Sequence, residues 1–473
     1  MSRAPAPLRV AAAGRDVFGF RATAAKGGQM RRAVCSFACI VCLVATVPTW
    51  AQSVTMARPE EVGLSTERLK RIGQVFNREI ELGKLPGAVV IVARKGRVAY
   101  FESFGFRDKA AGAPMPKDAV FEIYSMTKPL VSVAAMILVE EGRLQLADPV
   151  AKFLPEFASL QVSVPKLDPT AGQLTYALVS PERAMTIQDL LRHTSGLVYG
   201  DITSHAQVKE AYIKEVLLKP GDDTYDERDL TPADEIARLA RIPLAHQPGS
   251  TWEYGLSTDV LGRVIEKVSG QRLAEFLDER LFKPLKMVDT GFHIPKSSMD
   301  RFAHPLPVDP ATGTPIALHD VSAPTANDSG GAGGVSTAAD YLRFAQMMLN
   351  GGWLDDAQIL SRTTVSLMTS DHLGPQMARA MQPGAVLGTQ GYTFGLGFAV
   401  RQEPGIAAVP GSQGEYMWAG YAGTYFWIDP KEELIGIMMT QAPGPSRQYY
   451  RREIKQLVYQ AITDRPPVAV ATQ

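Results

Sequence analysis

Residues 121–142 read Phe-Glu-Ile-Tyr-Ser-Met-Thr-Lys-Pro-Leu-Val-Ser-Val-Ala-Ala-Met-Ile-Leu-Val-Glu-Glu-Gly, and the hydrophobic period changes inside this stretch. Its first four residues are short and β-rich. Beyond them, Leu130, Val133, Ala134, Ile137 and Leu138 share one helical face, and Gly142 stops the helix. Pro129 is tolerated because it lies in the first turn, where its missing N–H has no helical partner. Ser125 therefore stands at a helix N-terminus, with Lys128 three residues on. Positions i and i+3 lie on one face, so the hydroxyl and the amine can approach each other. A serine is a weak nucleophile that needs a base. A lysine amine in a partly dry cleft, beside the positive end of a helix, can serve as that base. The helix start also offers the Ser125 backbone N–H to an oxyanion. Ser-x-x-Lys alone recurs by chance; its surroundings decide its weight.

Upstream, residues 88–94 and 98–104 flank Lys95-Gly96 and predict a hairpin. Downstream, Thr186 and Asp189 cap a short helix that ends at Thr194-Ser195-Gly196. Residues 200–230 are polar and show no clear period. Helices are expected at 259–268 and 273–281, with Gly270 between them. The segment 295–329, dominated by Pro and turn residues, reads as a long surface excursion. After it, Thr337 and Asp340 cap an amphipathic helix running to Leu349. Strands are expected at 392–400, 417–428 and 434–441, and a last helix near 454–462. Strands at both ends with helices between them predict an α/β domain built from both termini, with a mainly helical part inserted. The α/β part is placed at 58–124 and 330–463, the helical part at 125–329, and a tail at 464–473.

Two further segments carry chemistry. Tyr254 follows the turn Pro248-Gly249-Ser250-Thr251-Trp252 and leads into the helix that holds Asp259. A tyrosine beside a lysine ammonium can relay protons to a leaving group. Trp418-Ala419-Gly420-Tyr421 lies on an expected strand whose small residues let a substrate run alongside. The N–H of Tyr421 is the expected second oxyanion donor. His193, at a helix end before Ser195-Gly196, is read as structural, bonding nearby carbonyls. His205, His246, His293, His304, His319 and His372 show no paired spacing, so no metal and no cofactor are expected. Gly330-Gly331-Ala332-Gly333-Gly334 is not followed by Lys-Ser/Thr, which argues against a phosphate loop; the glycines read as a tight approach to a helix N-terminus. No Gly-x-Ser-x-Gly elbow is present.

The order Tyr-Ser-Met-Thr-Lys-Pro, Leu-Leu-Arg-His-Thr-Ser-Gly-Leu, Trp-Glu-Tyr, Gly-Gly-Ala-Gly-Gly-Val-Ser-Thr and Trp-Ala-Gly resembles the serine β-lactamase and penicillin-binding-protein superfamily. Within it the match is to class C β-lactamase-like esterases, also called family VIII carboxylesterases, over residues 58–463. The resemblance implies a β-lactamase-like α/β fold, an antiparallel sheet flanked by helices with an inserted helical domain. It places the nucleophile on Ser125, the base on Lys128, the tyrosine on Tyr254 and the third motif on Trp418-Ala419-Gly420. Class C β-lactamases carry Tyr-x-Asn and Lys-Thr-Gly, whereas here Tyr254 is followed by Gly255 and Leu256, and Trp418 and Ala419 replace the cation and the hydroxyl. An unpaired β-lactam carboxylate in such a cleft is costly, so neutral esters are the expected substrates. A D-aminopeptidase or DD-peptidase, a weak β-lactamase, an acyltransferase and a non-catalytic penicillin-binding-like module are the alternatives. The expected partner is a small-molecule ester or amide.

The 473 residues are 45% hydrophobic and 21% charged, and 49 Lys and Arg balance 49 Asp and Glu. With no single-sign charge run, nothing marks a surface for nucleic acid or an anionic membrane. Residues 30–51 begin Met-Arg-Arg, continue through an apolar stretch at 33–47 and end Thr-Trp-Ala, which describes a secretory signal cut after Ala51. The apolar stretch is shorter than the ~20 residues a bilayer requires, so no membrane span is expected after cleavage. Residues 1–29 are expected to precede the true start at Met30. All three cysteines, Cys35, Cys39 and Cys42, fall in the signal, leaving the mature chain without a disulfide or a thiol nucleophile. Export to a periplasm or the medium is the expectation.

Overall fold

Lys95 and Gly96 reverse the chain with φ of 52° and 71°, and the strands they join sit within an eight-stranded antiparallel sheet. The computed structural model describes residues 55–464 apart from 168–173 and 218–228. The expected extension at 1–29, the signal at 30–51 and the tail after Asp464 lie outside the described residues. The strands are β1 (Gly87–Arg94), β2 (Arg97–Asp108), β3 (Ala113–Pro114), β4 (Tyr392–Phe394), β5 (Ala399–Arg401), β6 (Tyr416–Ala419), β7 (Tyr425–Asp429) and β8 (Leu434–Met439). Their spatial order is β4-β5-β6-β7-β8-β1-β2-β3. The sheet is thus closed by pairing both ends of the chain, with Val89 opposite Met439 and Arg94 opposite Leu434.

Two stretches expected as single strands are hairpins. Residues 392–400 break at Gly395 and Gly397, and 417–428 break at Gly420 and Gly423. Gly397 and Gly423 take φ of 94° and 102°, a region closed to most side chains, so the chain can reverse there and bury both arms. The last helix, Arg447–Tyr459, starts earlier than its hydrophobic period suggested. Its first turns carry Arg447, Gln448, Arg451 and Arg452, which reach main-chain carbonyls instead of adding apolar side chains to the pattern.

Helices cover both faces of the sheet. The helices of the described residues include α1 (Thr66–Glu81), α2 (Thr127–Glu140), α3 (Ile187–Leu191), α4 (Ser257–Ser269), α5 (Ala338–Leu349) and α6 (Arg447–Tyr459), of which α1, α5 and α6 pack on the sheet. Successive strand residues point to opposite faces. Phe426 meets Tyr341 of α5 at 4.9 Å between ring centroids, whereas Trp427 stacks on Tyr459 of α6 at 6.4 Å. The neighbours Phe426 and Trp427 therefore mark a helical layer on each side. Helix α2 is buried all round over residues 127–138 rather than along one stripe, because it runs between α4 and the rest of the helical part. Residues of the sheet and of the helical part share one hydrophobic core. The helical part also holds a hairpin, Val162–Leu167 with Leu174–Val179, that its polar surroundings concealed. The 295–329 excursion contains the 3₁₀ turn Lys296–Arg301, and its end is pinned: Asp328 accepts from Arg272 at 2.7 Å and from the Ala274 N–H at 3.1 Å.

The expected cap of α3 is present and does more than start a helix. Asp189, fully buried, accepts from the Thr186 N–H (3.0 Å), the Thr186 and Thr194 hydroxyls (2.8 Å each) and Arg183 (2.5 and 2.9 Å). Burial alone would raise its pKa, but the Arg183 and Thr186 bonds outweigh that and lower it to about 2. A carboxylate held below its unfolded value stabilises the fold above that value and loses the contribution as pH falls through the folded one. Asp189 is thus expected to contribute roughly 2 kcal/mol at neutral pH, lost between about pH 4 and pH 2. Urea midpoints of the wild type and Asp189→Asn across this range check it. The wild type should lose more stability than the variant on acidification; parallel losses would contradict the assignment.

Candidate active site

Ser125 lies in a 3₁₀ turn, Tyr124–Met126, that feeds directly into α2, so it precedes the helix proper by two residues. The turn is held tightly. The Ile123 N–H donates to Gly334 O (2.9 Å), and the Thr127 hydroxyl donates to Tyr124 O (2.6 Å) while accepting from the Gly334 N–H (2.9 Å). Tyr124 is thereby fixed at φ 44°, an unusual conformation for a bulky residue, immediately before the partly exposed Ser125. Lys128 is 1% exposed. Its Nζ donates to Gly331 O (2.8 Å) and to Tyr199 Oη (3.0 Å) and stands 3.5 Å from Ser125 Oγ. No carboxylate among the described residues pairs with it.

The glycine segment supplies one of those oxygens, a role its spacing did not announce. The Gly331 N–H and the Ser329 hydroxyl both donate to Asp259 Oδ1, at 2.7 and 2.8 Å. A Cβ on Gly331 would collide with the Asp259 carboxylate, so only glycine brings this backbone close enough to turn its carbonyl toward Lys128. Asp259 sits on α4, the helix that Tyr254 introduces, so one helix positions both walls of the lysine.

Tyr254 packs its ring against the amine, with Lys128 Nζ 4.6 Å from the ring centroid. Its hydroxyl is buried and has no hydrogen-bond partner among the described residues. The tyrosine oxygen that does contact the lysine belongs to Tyr199, which the sequence reading did not single out. The only sequence signal was an aromatic residue just after the Ser195-Gly196 turn. That turn is tied to α4 by a 2.8 Å bond between the Ser195 and Ser257 hydroxyls. His193 is buried and stacks on Tyr254 at 4.9 Å, with Trp252 and Phe394 on its other sides. Burial, and then the Lys128 charge, push its pKa well below the usual imidazole value, so it is a neutral backing for Tyr254.

The third element comes from the β6–β7 turn. A Cβ on Gly420 would collide with the Ile123 carbonyl, and Thr424 Oγ1 donates to the same oxygen at 3.3 Å. The turn thus lies flat against the strand that leads into Ser125. Tyr421 and Tyr124 meet at 5.5 Å between ring centroids. Among the described residues neither the Ser125 N–H nor the Tyr421 N–H has an acceptor.

A serine hydroxyl beside a buried amine is an arrangement that can support acyl transfer. A family model for Beta-lactamase matches residues 74–459. The chain belongs to the beta-lactamase family. Esterase EstB of Burkholderia gladioli is 33% identical over 392 residues, covering 78% of this chain and 89% of EstB. A lovastatin esterase of Penicillium rubens is 29% identical over 407 residues, covering 80% and 95%. Among solved structures, EstCE1, described as a hydrolase with promiscuous acyltransferase activity, matches with a TM-score of 0.68 at 29% identity, over 83% of this chain and 99% of its own. The protein is a serine hydrolase of β-lactamase-like fold. One expectation about this beta-lactamase-family cleft needs correction. Trp418, expected to form its neutral wall, is 2% exposed and packs inward on Tyr254 and Phe394 (5.3 Å each) because β6 is buried on both faces. Ala419 and Gly420 are buried as well, and the exposed residue of this segment is Tyr421, 40% exposed.

Proposed function

We propose that this serine hydrolase cleaves small, short-chain carboxylic esters through an acyl-enzyme on Ser125. The observation that carries the reading is the Lys128 amine, buried 3.5 Å from Ser125 Oγ without a carboxylate partner among the described residues. In the first half-reaction Lys128 takes the Ser125 proton as Oγ bonds to the ester carbon. The Ser125 and Tyr421 N–H groups receive the oxyanion. The carbon–oxygen bond to the alcohol then breaks, and the alcohol leaves with a proton relayed from Lys128 through the unengaged Tyr254 hydroxyl. Water repeats the sequence on the acyl carbon, returning the proton to Ser125 and releasing the acid. Tyr199 holds the amine in place throughout. Support comes from the esterase names of two relatives. Transfer of the acyl group to an alcohol is the second reading, favoured by the activity named for EstCE1. Work outside the cytoplasm is part of the proposal and rests on residues 30–51.

Covalent labelling tests the nucleophile directly. A fluorophosphonate should add one adduct to the intact protein, mapped to the peptide containing Ser125. Absence of an adduct, or attachment elsewhere, would overturn the mechanism.

A further inference from the structure

Tyr124, the residue bonded to Ser125, is gripped from the 295–329 excursion. Its ring centroid lies 5.1 Å from that of the His319 imidazole and 5.5 Å from that of Tyr421. His319 Nδ1 stands 3.6 Å from Glu122 Oε2, and that carboxylate is buried. Glu122 also accepts the Tyr124 hydroxyl. Burial, and then the Glu122 charge and this bond, hold the Tyr124 pKa well above the usual tyrosine value, whereas the His319 backbone N–H, donating to the same oxygen, pulls it down. One residue of the excursion thus meets Tyr124 through its main chain, its ring and a shared carboxylate.

Both halves of the grip are anchored. Val321, two residues beyond His319, is buried with Val120, Ile294, Phe302 and Val335, and its carbonyl accepts from the Ile294 N–H at 2.7 Å. Residues 311–315, by contrast, are exposed. Glu122 pairs with Val335 across a short strand, and its carbonyl accepts from Gln441 Nε2 at 3.1 Å. Tyr124 keeps its φ of 44°, a conformation that a bulky residue holds only where its surroundings over-determine it. The peptide it shares with Ser125 carries an N–H that receives the oxyanion in the proposed mechanism. Tilting that peptide would move the donor off the developing charge, a loss felt in the transition state more than in the bound ester.

We infer that His319 is a positioning residue for the nucleophile: by holding Tyr124 and pairing with Glu122, it fixes the peptide that presents the Ser125 N–H to the reacting carbonyl. This rests on the acyl-enzyme reading of Ser125. It gives the excursion a part in the reaction that its Pro-rich and turn-rich sequence did not announce.

The test measures kcat and KM for a short-chain nitrophenyl ester, with kcat expressed per active site counted from the fluorophosphonate adduct, so that misfolded protein does not enter the comparison. In His319→Ala kcat should fall roughly 10- to 100-fold, the scale of a small misplacement at a reacting centre, with KM changed less than about threefold. His319→Gln keeps a donor for the carboxylate and should retain more of kcat than alanine does. Glu122→Gln, close in size to the native side chain, should lower kcat in the same sense. The double variant Glu122→Gln/His319→Ala should be no slower than the slower of the single variants, because both act through one contact. A kcat per active site within about threefold of wild type in His319→Ala would overturn the inference. So would losses that multiply in the double variant, or a loss carried by KM alone, which would make His319 a substrate contact instead. Should His319→Ala not fold, His319→Gln and Glu122→Gln decide by the same criteria. If the wild type neither forms the adduct nor turns over the ester, the acyl-enzyme reading itself fails, and the positioning role falls with it.

Discussion

Ser125→Ala is expected to lower kcat for a short-chain nitrophenyl ester by roughly 10⁴- to 10⁶-fold. On the proposed mechanism the substitution removes the atom that carries the acyl group and leaves the rest of the site standing. The N–H groups of residues 125 and 421 belong to the main chain and persist, as does the bond from Lys128 to Gly331 O. Residual activity therefore measures what oriented dipoles do without a nucleophile. Ser125 is partly exposed and makes no hydrogen bond shorter than its 3.5 Å approach to Lys128, so stability should shift by no more than about 0.5 kcal/mol. Steady-state rates with the urea midpoint as a control check both parts. Activity within tenfold of wild type would show that another group forms the acyl-enzyme.

Lys128→Met is expected to reduce kcat/KM by roughly 10²- to 10⁴-fold, the usual worth of a positioned general base. Its effect on stability separates this lysine from a structural one. Removing one partner of a buried ion pair typically costs about 3–5 kcal/mol. Lys128 has oxygens of Ser125, Tyr199 and Gly331 around it and no carboxylate among the described residues, so methionine of similar volume should leave the unfolding midpoint unchanged or higher. A large loss of stability with activity retained would turn the residue into a structural cation. The two tyrosines should then part company. Tyr199→Phe removes the oxygen that holds the amine and should alter the pH profile of kcat/KM. Tyr254→Phe removes an unengaged hydroxyl and should hurt most with poor leaving alcohols, where protonation of the departing oxygen matters.

The serine and the lysine were legible because their relation is local. A spacing of three residues across a 3₁₀ turn and the first turn of α2 fixes their proximity. The hairpin at Lys95-Gly96 and the caps at Thr186 and Thr337 were legible for the same reason: turn and capping chemistry act over two to four residues. Strand runs were readable as apolar but not as reversals, since Gly395 and Gly397, or Gly420 and Gly423, interrupt the pattern without changing its hydrophobicity. The last helix hid its beginning because arginines that bond carbonyls look, in one dimension, like solvent-facing residues.

Residue types, their local spacing and the family resemblance were thus enough to name a serine hydrolase and to bring Ser125 and Lys128 together. Folding alone decided which tyrosine oxygen touches the amine, that Gly331 lends it a carbonyl, that Trp418 turns inward, and that His319 stands beside Glu122. Each of these depends on contacts between segments far apart in the chain, and side-chain direction and charge pairing follow from such contacts rather than from neighbours in sequence.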